Sequence, residues 1–118
     1  MTEKVRILVA EDESLIRLDI VETLKEAGYD VVADAGDGEE ALKLAGEHEP
    51  ELAVLDVKMP KLDGISVAQK LQEMSIPVVM LTSFSDTDLV QRATEAGAMA
   101  YVVKPFSSND LLPAIQIA

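Results

Sequence analysis

The sequence predicts an α/β domain: a doubly wound, five-stranded parallel sheet with helices on both faces, formed by residues 1–118 as a single unit. Three observations lead there. Short apolar, β-branched runs at 4–10, 30–34, 51–56, 77–81 and 99–103 alternate with segments of helical period. The runs are nearly continuous rather than alternating, as befits strands buried on both faces. Strict strand–helix alternation then implies parallel strands joined by right-handed crossovers.

Taken in order, Val5-Arg6-Ile7-Leu8-Val9-Ala10 ends in Glu11-Asp12-Glu13. The spacing predicts a helix from about Ser14 with Ile16, Ile20, Leu24 and Ala27 on one face and Gly28 at its stop. After the second run, Asp37-Gly38 reads as a turn leading into a helix over 38–47, with Ala41, Leu42 and Ala45 inward. Leu52-Ala53-Val54-Leu55 delivers Asp56, and Asp63-Gly64, again read as turn residues, precedes a helix carrying Ile65, Ala68 and Leu71. Val78-Val79-Met80-Leu81 delivers Thr82. A fourth helix is expected over 86–96, with Leu89, Val90 and Ala93 inward and Gly97 ending it. Ala100-Tyr101-Val102-Val103 delivers Lys104-Pro105. Ser107-Ser108-Asn109-Asp110 is a capping pattern for a last helix, in which Pro113 removes a backbone donor and should bend or weaken the early turns. The ending Ile117-Ala118 is apolar and uncapped, so the natural protein is expected to continue.

Composition narrows the function. With 48% hydrophobic residues the chain can bury a core, and without Cys it has neither disulfides nor thiolate zinc sites. The opening Met1-Thr2-Glu3-Lys4 lacks a signal-peptide pattern, and no apolar run approaches the roughly 18 residues of a membrane span. A cytoplasmic protein with no membrane role is expected. Ten Lys and Arg against 22 Asp and Glu give a net charge of −12, which works against nucleic-acid binding by this surface. An acidic surface suits a cationic partner ion, although solvation alone also accounts for much of it.

If the runs are parallel strands, their C-terminal ends share one edge, where open α/β sheets bind ligands. That edge would gather Glu11, Asp12, Asp56, Thr82 and Lys104: an acid cluster, a hydroxyl and an ammonium group. Asp56 is the candidate nucleophile, because a carboxylate can attack phosphorus once repulsion between the two anions is reduced. Each residue also has a plainer reading. Asp56 could simply end a strand, Asp12 and Ser14 could cap the first helix, and Lys104 could be an exposed lysine. His48, beside Glu47, Glu49 and Pro50, reads as surface.

Glu11-Asp12-Glu13, Asp56 with Met59-Pro60 and Asp63-Gly64 behind it, Thr82-Ser83, and Lys104-Pro105-Phe106 together resemble a bacterial two-component response-regulator receiver domain. The similarity runs over essentially the whole chain; each motif alone is weak, while the ordered set is specific. It implies a CheY-like (βα)5 flavodoxin-like fold and a phosphoryl group accepted on Asp56 from the phosphohistidine of a sensor histidine kinase, with Mg2+. By the same resemblance Asp12 would ligate the metal directly and Glu11 through water. The main-chain carbonyl of Lys58 would complete the protein's share, Lys104 would pair with Asp56 and then with phosphoryl oxygens, and Thr82 and Tyr101 would form the switch pair. The family more often has Asp at position 11, so Glu11, one methylene longer, suits the water-mediated role. Such a domain is a signalling phosphoacceptor that assists its own phosphorylation and dephosphorylation, not an enzyme with a separate substrate.

A narrower similarity, carried by 96–101, 56–60 and 110–115, is to regulators with a C-terminal antitermination module. It implies control of transcription through RNA bound by an output domain outside this chain. The alternatives are a DNA-binding output or stand-alone action by protein–protein contact, with a homodimer through the fourth helix, fifth strand and fifth helix. Three rivals carry less. An aspartyl phosphatase needs a second Asp where Lys58 stands, and a nucleotide- or flavin-binding module needs a Gly- or Ser/Thr-rich loop where Glu11-Asp12-Glu13 stands. A degenerate docking scaffold would lack acids, Thr or Lys that are all present here.

Overall fold

The strands form where the apolar runs predict them. A computed structural model describes residues 5–57, 59, 61–82, 98–103, 111–113 and 115. Strands β1 (Arg6–Ala10), β2 (Asp30–Ala35), β3 (Leu52–Asp56), β4 (Val78–Thr82) and β5 (Ala98–Val103) make one parallel sheet in the order β2-β1-β3-β4-β5. Helices α1 (Ser14–Glu26), α2 (Gly38–His48) and α3 (Gly64–Glu73) connect the first four strands. Leu111, Leu112, Pro113 and Ile115 are helical, as expected of the last segment. The predicted fourth helix and the capping run before Leu111 lie outside the described residues.

From β1 the chain steps to β2 on one side, then crosses back to β3 and on to β4 on the other. Right-handed crossovers therefore place α1 on one face and α2 and α3 on the opposite one. The core divides accordingly. Leu8, Ala10, Ala53, Leu55, Val78 and Met80 pack with Ala41, Ala45, Ile65, Ala68 and Leu71 from α2 and α3. Ile7, Val9, Val54, Val79 and Leu81 pack on the other face with Ile20, Val21 and Leu24 of α1 and with Leu111 and Ile115. Alternate residues of one apolar run thus serve opposite layers, which is why the runs are continuous. Edge strand β2 is only half-buried along most of its length, whereas β3 is buried throughout.

Helix ends account for most differences from the expected boundaries. Helix α1 closes in a Schellman turn: Gly28, at φ +93°, donates to the Lys25 carbonyl at 3.0 Å and Tyr29 donates to the Leu24 carbonyl at 3.0 Å. Ala27 is the C-cap of this turn and is exposed, not inward as the spacing suggested; Val21 is buried beside Ile20 and Leu24. Helix α3 ends the same way with Ser75, at φ +62°, in the left-handed position. Asp37 and Asp63, read as turn residues, are N-caps, accepting from the amides of Glu40 and Ser66 at 2.8 Å each.

His48 is half-buried in the last turn of α2 rather than freely exposed, and its carbonyl and that of Glu49 accept from the Arg6 guanidinium. Among the described residues no helix is long and apolar enough to cross a membrane.

Candidate metal centre

The order β2-β1-β3 makes the β1/β3 boundary the point where connections leave in opposite directions, opening a crevice at the strands' C-terminal ends. Glu11 and Asp12 follow β1 directly, and Asp56 is the last residue of β3. The fold brings these three together. One carboxylate oxygen from each lies within 4.8 Å of the other two. Glu11 is fully buried, Asp56 is 5% exposed, and Asp12 faces solvent. The cluster thus has a buried floor and an open mouth.

Local structure explains the placement. The Glu11 amide leaves β1 to donate to the Ala35 carbonyl of β2 at 3.0 Å, while its carboxylate accepts from the Glu13 amide at 3.2 Å. Glu13, in extended conformation, is the N-cap of α1 and makes no side-chain capping bond. The helix begins at Ser14, so the Asp12-Ser14 capping arrangement allowed by the sequence is not the one formed. Behind Asp56, the Val57 amide donates to Leu81 of β4 at 2.9 Å, and Gly64 donates to the Val57 carbonyl at 2.8 Å. A Cβ on residue 64 would run into the Asp56 carbonyl, well inside van der Waals contact. Only a glycine lets α3 begin this close to the acid-bearing strand end. Sequence reading marked Gly64 as a turn residue and missed this role.

The other expected site residues are placed by backbone alone. Thr82 ends β4, next to β3, and pairs with Val103 at the end of β5. Tyr101 lies within β5, in register with Met80. Lys58 and Lys104 lie outside the described residues, Lys104 being next in sequence after Val103.

Three carboxylates this close repel one another, and a hard divalent cation relieves that repulsion while taking oxygen donors of this kind. The donor set fits such an ion, with a water-accessible side at Asp12.

The chain matches the response regulator receiver domain over residues 7–116. It belongs to the response-regulator receiver family. The receiver is 57% identical over 114 residues to the transcriptional regulatory protein PdtaR of Mycobacterium tuberculosis, a match covering 96% of this chain and 56% of that protein. It therefore spans about half the length of that relative. Its backbone superposes on the signal receiver domain of the NarL response regulator from M. tuberculosis with a TM-score of 0.91, at 31% identity, covering 98% of this chain and 95% of the other. It is also similar to a chain of the CheX–CheY–BeF3–Mg2+ complex from Borrelia burgdorferi, with a TM-score of 0.90, at 25% identity, covering 95% and 87%. This chain accordingly has the flavodoxin-like fold of a two-component response-regulator receiver domain.

Proposed function

We propose that this receiver accepts a phosphoryl group on Asp56 from the phosphohistidine of a sensor histidine kinase and converts the added charge into a change of surface. The observation that carries the reading is the convergence of Glu11, Asp12 and Asp56 at the β1/β3 crevice. A structural neighbour from Borrelia, solved with Mg2+ and BeF3, supports Mg2+ as the cation. When bound, Mg2+ supplies positive charge that offsets repulsion between carboxylate and phosphoryl oxygens.

Asp12 and Asp56 would hold it directly, Glu11 through water and Lys58 by its carbonyl. An Asp56 carboxylate oxygen attacks phosphorus and forms the O–P bond. The P–N bond breaks, and its electron pair returns to the donor imidazole. The chain's contribution is position and charge rather than acid–base chemistry. Water later hydrolyses the acyl phosphate, so the domain also sets the duration of the signal without being an enzyme in its own right.

Phosphorylation adds a charge of about −1.5 to −2. Lys104 and Thr82, delivered by the ends of β5 and β4, would gather around the phosphoryl oxygens while Tyr101 moves inward. The surface expected of the fourth helix, β5 and the last helix would then change, and a homodimer through it is one outcome. The output is proposed to be transcription antitermination through RNA, carried by a domain outside this chain and acting in the cytoplasm. The likeness to a relative named as a transcriptional regulatory protein, of which this chain spans about half, supports a transcriptional output. A DNA-binding output is the second reading, supported by the likeness, at 29% identity and a TM-score of 0.89, to a chain described as a DNA-binding response regulator from Staphylococcus aureus.

Incubation with acetyl phosphate and Mg2+ should give one phosphorylated species by phosphate-affinity electrophoresis, and Asp56→Asn should abolish it. An unlabelled but folded wild type, or undiminished labelling of Asp56→Asn, refutes the assignment. Full-length protein tested against RNA and DNA separates the two outputs.

A further inference from the structure

We propose that Arg17 is a positioning residue for the acid centre: its guanidinium holds the Glu11 main chain in place, and through it the two carboxylates that follow β1. The inference rests on the reading of that centre as a cation-assisted phosphoacceptor site.

The Glu11 peptide is secured from both sides. Its amide donates to the Ala35 carbonyl, and its carbonyl accepts from Arg17 Nη1 at 3.0 Å. Arg17 Nε lies 3.3 Å from Asp34 Oδ1 on β2. The Arg17 amide donates to the Glu13 carbonyl at 2.9 Å, which fixes the residue on the first turn of α1. One side chain therefore ties together the start of α1, the end of β1 and the end of β2. Gly36 lies against it: a Cβ there would come 2.8 Å from Nη1, so the guanidinium would have to shift.

The Arg17–Asp34 ion pair adds little stability of its own. Asp34 is 51% exposed, and ion pairs with an exposed partner contribute little. The guanidinium instead supplies direction. Its planar fork can hold a carbonyl and a carboxylate at once, which a lysine ammonium on a flexible stem does less well. Placement matters because Mg2+ demands near-ideal octahedral geometry, so a shifted Glu11–Asp12 backbone is not easily tolerated. Arg17 bonds the Glu11 carbonyl and pairs with Asp34, so it acts on the centre through the Glu11 main chain.

The test turns on sign. By charge alone, deleting a cation near a cation site should tighten Mg2+ binding. Loss of positioning should weaken it. Isothermal titration calorimetry with Mg2+ on the full-length protein should show Arg17→Ala raising the dissociation constant by about ten-fold, in the range found when outer-sphere partners of a metal site are lost. Arg17→Lys, which keeps the charge and loses the fork, should stay weakened. In EDTA, hydrogen exchange at the Glu13 amide, which donates to the Glu11 carboxylate, should be faster in Arg17→Ala while the urea midpoint hardly moves.

Equal or tighter Mg2+ binding by Arg17→Ala overturns the proposal, as does full recovery in Arg17→Lys or unaltered exchange at Glu13. A collapse of the urea midpoint would assign Arg17 to general stability and overturn it too. Folded wild type that takes up no Mg2+ instead removes the reading of the centre itself, and this proposal with it.

Discussion

Asp37 illustrates how one side chain can serve a helix end and a neighbouring loop together. Its Oδ1 accepts from the Glu40 amide, and its Oδ2 lies 3.6 Å from Lys61 Nζ, ahead of α3. The amide bond is the main reason that its carboxyl sits below the ordinary value of 3.8; Lys61 adds to the effect and desolvation opposes it. The sign follows from the depressed folded-state value. The contribution to stability is complete above the unfolded carboxyl's titration and is lost as pH falls below 3.8 through the folded one. Asp37→Asn keeps a capping oxygen but removes the titrating charge. Urea midpoints measured from about pH 5 to about pH 2 should therefore fall more steeply in wild type than in the variant. Parallel curves would show that the charge contributes nothing. Sequence reading placed Asp37 in a turn, yet Asp37-Gly38-Glu39-Glu40 also fits an N-cap with an acidic third helical position, the signal that would have identified it.

At the scale of elements, the strands were legible and several helix ends were not. Val54 and Leu55 point to opposite layers, so an unbroken apolar run sufficed to reveal β3. Ala27 misled because its spacing continues the apolar face of α1 one step past the helix, where the Schellman turn carries the chain away. Gly28 announced that turn, but Ser75 gave no comparable warning for α3, since left-handed conformation is uncommon outside glycine. Ser75 at φ +62° implies a prediction. A left-handed residue with a Cβ costs about 1–2 kcal/mol, partly offset by glycine's greater freedom when unfolded. Ser75→Gly should raise stability by about 1 kcal/mol, read as a higher urea midpoint with unchanged slope. A lower midpoint would show that the serine side chain supplies more than its backbone strain takes away. Arg17 was invisible for a different reason: its partners, Glu11 just past β1 and Asp34 in β2, are brought together only by the sheet order.

The whole molecule gathers three of its carboxylates at the C-terminal edge of the sheet. The net charge is −12, and the sheet's switch point draws three carboxylates together within that negative field. Folding without a cation must hold them there, whereas the unfolded chain lets them separate. Under the proposed Mg2+ reading, cation binding and folding are linked: at a free Mg2+ concentration about 100 times the dissociation constant, the folded state would gain about 2.7 kcal/mol. Asp12→Asn separates the two contributions. Asp12 is solvent-facing, so the substitution disturbs little packing while removing a repulsive charge and the proposed Mg2+ ligand. In EDTA at low salt its melting temperature should lie above that of wild type, and added Mg2+ should raise it little. Wild type should start lower and gain several degrees. Added monovalent salt should narrow the EDTA difference, because Asp12 is exposed and its repulsion is screened. A variant that gains as much from Mg2+ as wild type would show that Asp12 is not a ligand. A variant that melts lower in EDTA would show that repulsion at the crevice is not what limits the metal-free fold.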